Sequence, residues 1–191
     1  MYKLALQLLI NPKKGFSNIF TYSVSNKRLY FTILVPLTFL ASFVSIIRLN
    51  LVGIKYNNIV YKIPINTTII YALIELILLL AATYLSIIMI NSLIKSFKFL
   101  YPLHYIYKLI IFSIIPAYLG EIFFLHPKSG SLSIIFQLYS FYLIYIGLQN
   151  YYKEMRDKTT TIFLLIVLIL MFIFTIVFGI LNSIIVNVLK G

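Results

Sequence analysis

Five apolar runs, each long enough to cross a lipid bilayer, constrain this chain more than any other feature. The clearest is Thr161 to Leu181, TIFLLIVLILMFIFTIVFGIL, which has no charged side chain. A hydrocarbon core of about 30 Å takes roughly 20 helical residues at about 1.5 Å each. The other runs are Leu29 to Ile47, Thr68 to Ile94, Tyr105 to Leu125 and Ser131 to Tyr151. A soluble domain of 191 residues has no interior large enough for so much continuous apolar sequence. The expected fold is therefore all-α, a polytopic bundle of five membrane spans.

Charged residues make up 10% of the chain, against about 25% in globular domains. After five spans only short connectors remain, so residues 29–191 read as one membrane domain, preceded by a cytoplasmic or interfacial segment, residues 1–28. With no cysteine, disulfides and thiolate chemistry are excluded. The N-terminal MYKLALQLLI runs straight into NPKKG, too short an apolar region and without a small-residue cleavage site, so no cleaved signal peptide is expected.

The net charge of +12 is scattered over the ends of the apolar runs and forms no stripe. That placement fits topology signals and anionic lipid headgroups, and argues against nucleic acid. Of the 16 lysines and arginines, five fall on the far side of an odd number of crossings: Arg48, Lys55, Lys62, Lys128 and Lys190. The other eleven lie on the N-terminal side. The bias predicts a cell-membrane protein with a cytoplasmic N-terminus and an outward C-terminus.

Within residues 1–28, Lys3 and Gln7 share a helix face among apolar neighbours, which suits a helix lying in the headgroup region. Asn11-Pro12 reads as a helix restart, Asn as N-cap and Pro in the first turn. Behind it Phe16, Ile19 and Phe20 form an apolar edge, expected to anchor in the membrane or to dock a partner. In the first outer loop, GIKY and IVYKI flank Asn57-Asn58 and predict a small hairpin resting on helix ends or headgroups. The basic, aromatic stretch KSFKFLYPLHYIYK matches an interfacial belt, and HPKSGS, with Pro127 and Gly130, makes spans three and four a helical hairpin.

Glu75 and Glu121 are the only acidic residues inside spans, where such groups are costly. Spans two and three run in opposite directions, so both carboxylates fall in the outer leaflet. Arg48 ends span one at the same level, with His126 or Lys128 above. The candidate site is a buried cluster of Glu75, Glu121 and Arg48 joining spans one to three; the alternatives are separate snorkelling of each carboxylate or a protonated Glu75. No catalytic, cofactor or metal site is expected. His104 and His126 are predicted on opposite membrane faces, and H-E-x-x-H, G-x-S-x-G and phosphate-binding glycine loops are missing.

The stretch IIPAYLGEIFFLHPKSGSLSIIFQLYSFYLIYIGLQNYYK, with Pro116 inside a span, a short hairpin, then Tyr139-Ser140 and Gly147-Leu148, resembles the second half of the Yip domain family. NPKKGF at Asn11 to Phe16 resembles the segment before the first span in prokaryotic members. The resemblance implies five helices, a cytoplasmic N-terminus and an outward C-terminus. For eukaryotic relatives it implies vesicle traffic through prenylated GTPases. The N-terminal region here lacks their longer acidic or aromatic segment, which argues against GTPase binding.

Pro116 has a physical reading of its own, a kink whose freed backbone is satisfied by neighbours. Gly147 reads as a point of close helix approach, with Gly120 its counterpart across the hairpin. The leading functional expectation is a non-catalytic membrane-organising or adaptor protein, whose partners are the bilayer and either itself or other membrane proteins. The alternatives are a small transporter or channel component using Glu75, Asn91 and Asn150, and an accessory subunit of a larger membrane complex.

Overall fold

Two short helices, α1 (Tyr2–Ile10) and α2 (Pro12–Thr21), precede five long ones in the computed structural model, which describes residues 1–56, 59–96, 102–126, 129–151 and 156–190. The five spans run Asn26–Val52, Ile65–Ser96, Leu103–Leu125, Leu132–Asn150 and Thr159–Leu189. Span two is the single helix α5 (Ile65–Ser96), span four is α8 (Leu132–Tyr151) and span five is α9 (Arg156–Lys190). The protein is an all-α, multi-pass membrane bundle.

Span one is longer than Leu29 to Ile47 and composite. It joins α3 (Asn26–Leu29), a π turn over Tyr30–Leu34, α4 (Val35–Ile47) and a second π turn over Arg48–Val52. Ser25 starts it, its Oγ accepting from the Arg28 N–H at 3.3 Å. Pro36, in the first turn of α4, has no N–H for the Thr32 carbonyl four residues back. The helix widens into its first π turn just before this proline, and the Tyr2 hydroxyl of α1 donates to Thr32 O at 3.1 Å. Gly53 then stops the span with φ of 85°, a left-handed conformation that side chains resist.

Beyond Gly53, β1 (Ile54–Tyr56) pairs antiparallel with β2 (Ile59–Tyr61), with Ile54 opposite Tyr61 and Tyr56 opposite Ile59. The expected hairpin is present, and its Asn57-Asn58 tip lies outside the described residues. It is tied down where it leaves the sheet: Ile63 N–H donates to Leu49 O, and the Asn50 amide donates to Ile63 O, both at 3.0 Å. Ile63 packs with Leu49 and with Ile185 of α9. Span five therefore outlasts its expected end at Leu181, because its last turns have the hairpin to rest on.

Span three is broken into α6 (Leu103–Ser113), α7 (Ile115–Gly120) and a 3₁₀ turn over Glu121–Leu125. The helices pack as a ring: α4 against α5, α5 against α9, α9 against α8, α8 against α6 and α7, and α7 back against α4. The first half of span three occupies the centre, every residue from Tyr105 to Ser113 being buried.

The segment 1–28 is folded onto the bundle as a helical pair. Asn11 caps α2 as expected, its Oδ1 accepting from Lys14 N–H at 3.2 Å. Gly15 lets α2 approach α1, since a Cβ there would stand 2.5 Å from Leu8 Cα. The edge of Phe16, Ile19 and Phe20 turns inward, with Phe16 and Ile19 fully buried in the main core. On the other side of α1, Tyr2, Leu6 and Ile10 are exposed at helical spacing. Lys13, Lys14 and Ser17 of α2 are exposed as well.

Candidate functional site

Where α6 gives way to α7, the core opens into a cavity of about 280 Å³ that residues from all five spans line. It occupies the half of the bundle nearer the β hairpin. Its walls are mostly apolar, with Leu79 on α5, Ile114 and Tyr118 on span three, Ile144 on α8 and Leu170 on α9. Into this lining come Glu75, Glu121, Gln137 and Ser140. On the α9 side, Met171, Thr175 and Phe178 line the cavity and are also exposed on the protein surface. The chamber thus reaches the protein surface along α9.

Glu75 is 7% exposed, and one of its oxygens is satisfied: Ser45 Oγ on α4 donates to Oε1 at 3.0 Å. Oε2 is buried without a partner. Glu121, in the last turn of span three, faces the same chamber. Arg48 is within electrostatic range of both carboxylates. Its guanidinium lies over the Phe124 ring, 5.1 Å from the centroid, a cation–π contact that links the ends of spans one and three. The three predicted residues therefore share one region, but hydroxyl and ring contacts hold two of them, and among the described residues no ion pair within 4.0 Å closes the cluster.

The helix-packing residues resolve differently. Pro116 sits in the first turn of α7, and the N–H of Ala117 beside it donates to Ser140 Oγ across the hairpin at 3.0 Å. The same hydroxyl donates to Phe136 O at 3.1 Å, so one serine serves both helices. Gly120 and Gly147 do not meet, contrary to expectation. Gly120 faces Phe136 and Ser133 at one end of α8, whereas Gly147, at the other end, makes room for Leu109 and the Phe16 ring. An antiparallel pair sets the end of one helix against the start of the next, and these glycines lie on opposite ends. Ser140→Ala is expected to lower stability in detergent by about 1–2 kcal/mol, because it strands the Ala117 N–H. Thermal unfolding would check this; an unchanged melting temperature would remove Ser140 from the account of the kink.

The proposed polar stations are not in line either. Asn91 and Asn150 are not among the chamber residues. The Asn150 amide instead donates to Lys13 O at 2.8 Å, holding the N-terminal pair. Three more anchors act there. Tyr139 OH donates to Leu9 O at 2.8 Å, and Lys108 Nζ donates to Phe20 O at 3.2 Å and Tyr22 O at 2.7 Å. These side chains satisfy the carbonyl ends of α1 and α2. Sequence reading placed Lys108 in an interfacial loop; it is buried. His104 and His126 flank opposite ends of span three, and among the described residues no group of three metal-binding side chains forms.

Five long apolar helices, a broken third span and a basic N-terminal segment docked on the bundle define a multi-pass membrane protein. A model of the Yip1 domain matches residues 6–179, from the middle of α1 through most of span five. The chain belongs to the Yip1 domain family. No curated protein and no solved structure matches it.

Proposed function

We propose that this protein organises membrane partners without catalysis, by contacts of its helices with a second copy or with other membrane proteins. It does so in the cell membrane, with its N-terminus cytoplasmic and its C-terminus outside. The supporting observation is the outer face of α9. In span five 28% of the most apolar stretch is buried inside the protein, against 61% in span three. On its exposed side Thr175, Gly179 and Ser183 recur every four residues, with Asn182 exposed beside them. No atom lies within 4 Å of where a Gly179 Cβ would stand.

Small residues at this spacing let helix backbones approach closely in lipid, where dispersion and interhelical hydrogen bonds replace the hydrophobic effect. Asn182 adds a polar group that gains from a partner. Because the chain has no native cysteine, Ser183→Cys gives a single reactive site. Cross-linking in native membranes is expected to yield one discrete product, either a dimer or one heterologous species. Gly179→Ile should reduce that product at least about tenfold, through lost close packing, while leaving the isolated fold's melting temperature in place. A product insensitive to Gly179→Ile, or equal cross-linking from the exposed face of α5, would sink the reading.

A further inference from the structure

We propose that the chamber is a lateral binding site for an amine-headed lipid, whose chain enters along α9 and whose ammonium reaches Glu75 and Glu121. This goes beyond the organising role and does not rest on it.

The unmet hydrogen-bonding capacity of the chamber sets the ligand's chemistry. Glu75 is 7% exposed, and its Oε2 lacks a partner inside the protein. A buried acceptor left in that state is costly, so a site that retains it gains when a ligand donates to it. Glu121 supplies a second carboxylate in the same space. Arg48, the cation that among the described residues acts on both, is held over Phe124. The chamber thus holds one buried carboxyl oxygen that the protein leaves unpartnered and a second carboxyl in the same space. A primary ammonium brings three donors and the opposite charge. A quaternary ammonium has no N–H to give, and an anionic headgroup adds like charge.

The shape argues for a lipid over a free amine or an inorganic cation. Leu79, Ile114, Ile144 and Leu170 give the chamber an apolar wall that an ion does not need. Its volume of about 280 Å³ is nearly twice that of a dry cavity of ~150 Å³ that holds benzene, enough for part of one chain and not for a whole lipid. The rest of the chain would remain in the bilayer, which the opening past Met171, Thr175 and Phe178 allows. Depth agrees as well. Glu121 opens the five-residue 3₁₀ turn that ends span three, which places it about 10 Å or less from the membrane surface. Glu75 is deeper, ten residues into α5 and so about 15 Å from that helix's start, and an amine that reaches it draws its headgroup down past Glu121.

Native mass spectrometry of the full chain, with phosphatidylethanolamine, phosphatidylcholine and phosphatidylglycerol of identical acyl chains, tests the proposal. Phosphatidylethanolamine adducts are expected to be retained about tenfold over each of the others, and Glu75→Gln should bring that preference to within about twofold. Equal retention of the three lipids would overturn the proposal, as would a preference that Glu75→Gln leaves intact. Free ethanolamine displacing the lipid at equal concentration would show a small-amine site and overturn it too. Should Glu75→Gln fail to fold, phosphatidylethanolamine carrying a photoreactive acyl chain answers on the unaltered protein. Adducts concentrated on 137–144 and 170–178 support the site, and adducts spread over the outer faces of α4 and α5 overturn it.

Discussion

Phe16→Ala is expected to lower the stability of the detergent-solubilised protein by about 3–5 kcal/mol, the usual loss for truncating a buried phenylalanine. The ring is fully buried in the notch that Gly147 leaves, where a Cβ on that glycine would meet Cζ at 3.0 Å and Cε1 at 3.1 Å. It stacks on Phe20 at 5.3 Å, and Phe20 stacks on Tyr105 at 3.7 Å, so one ring holds α2 to both α6 and α8. Lipid offers little compensation. α2 exposes Lys13, Lys14 and Ser17, and a helix so polar on its outer side leaves for the headgroup region and water. The loss therefore includes both transfer and cavity contributions.

The release should be local before it is global. Ile19 is 1% exposed, and in a chain without native cysteine an Ile19→Cys background reports directly on lifting of the N-terminal pair. Thiol labelling at that site should rise by at least about tenfold with Phe16→Ala at temperatures where the spans stay folded. Labelling that stays at the Ile19→Cys level would mean that the pair is held by something other than this ring.

Lys108→Met is expected to cost about 2–3 kcal/mol, and for a different physical reason. Methionine keeps the apolar stem and removes the ammonium. The carbonyls of Phe20 and Tyr22 then lose their donor at the end of α2, where the helix dipole also favours a cation. The net loss stays moderate because the buried ammonium itself is costly to desolvate. Amide hydrogen exchange should quicken around Tyr22 to Ser25 while exchange in α5 and α9 is unchanged. Uniform acceleration along the chain would show that Lys108 supports the whole bundle and not the α2 terminus.

Much of this architecture is legible in one dimension, and the reason is the solvent. Hydrophobic length finds a span because backbone polar groups in lipid must be satisfied within the helix. Asn11-Pro12 marks the start of α2 because both the cap and the proline act on neighbouring residues. The hairpin between Ile54 and Tyr61 follows from alternation around a turn, a pattern equally local. Span ends were less readable. The polar pair Asn182-Ser183 masks an apolar run that resumes at Ile184, and Ile185 of that run packs on Ile63, more than a hundred positions earlier.

The site was half legible. Rare carboxylates inside spans drew notice to Glu75 and Glu121, and counting turns placed them in one leaflet. Ser45 as the partner of Glu75 was not readable, because a serine in a span is as often a packing residue as a donor. Lys108 was mistaken for one more positive charge at an interface, because lysine counts record a side of the membrane and not what the ammonium touches.

Sequence alone settled which medium surrounds this chain, how many times it crosses, and which residues are too polar to sit in lipid without a reason. Only the folded molecule decided which helix lies beside which, that the first two helices dock on the third and fourth spans, and that the two glycines lie apart. Lipid tails are as apolar as leucine, so hydropathy is blind to the choice of helix neighbour. That choice depends on fitted surfaces and hydrogen bonds between distant residues, such as Asn150 with Lys13, 137 positions apart.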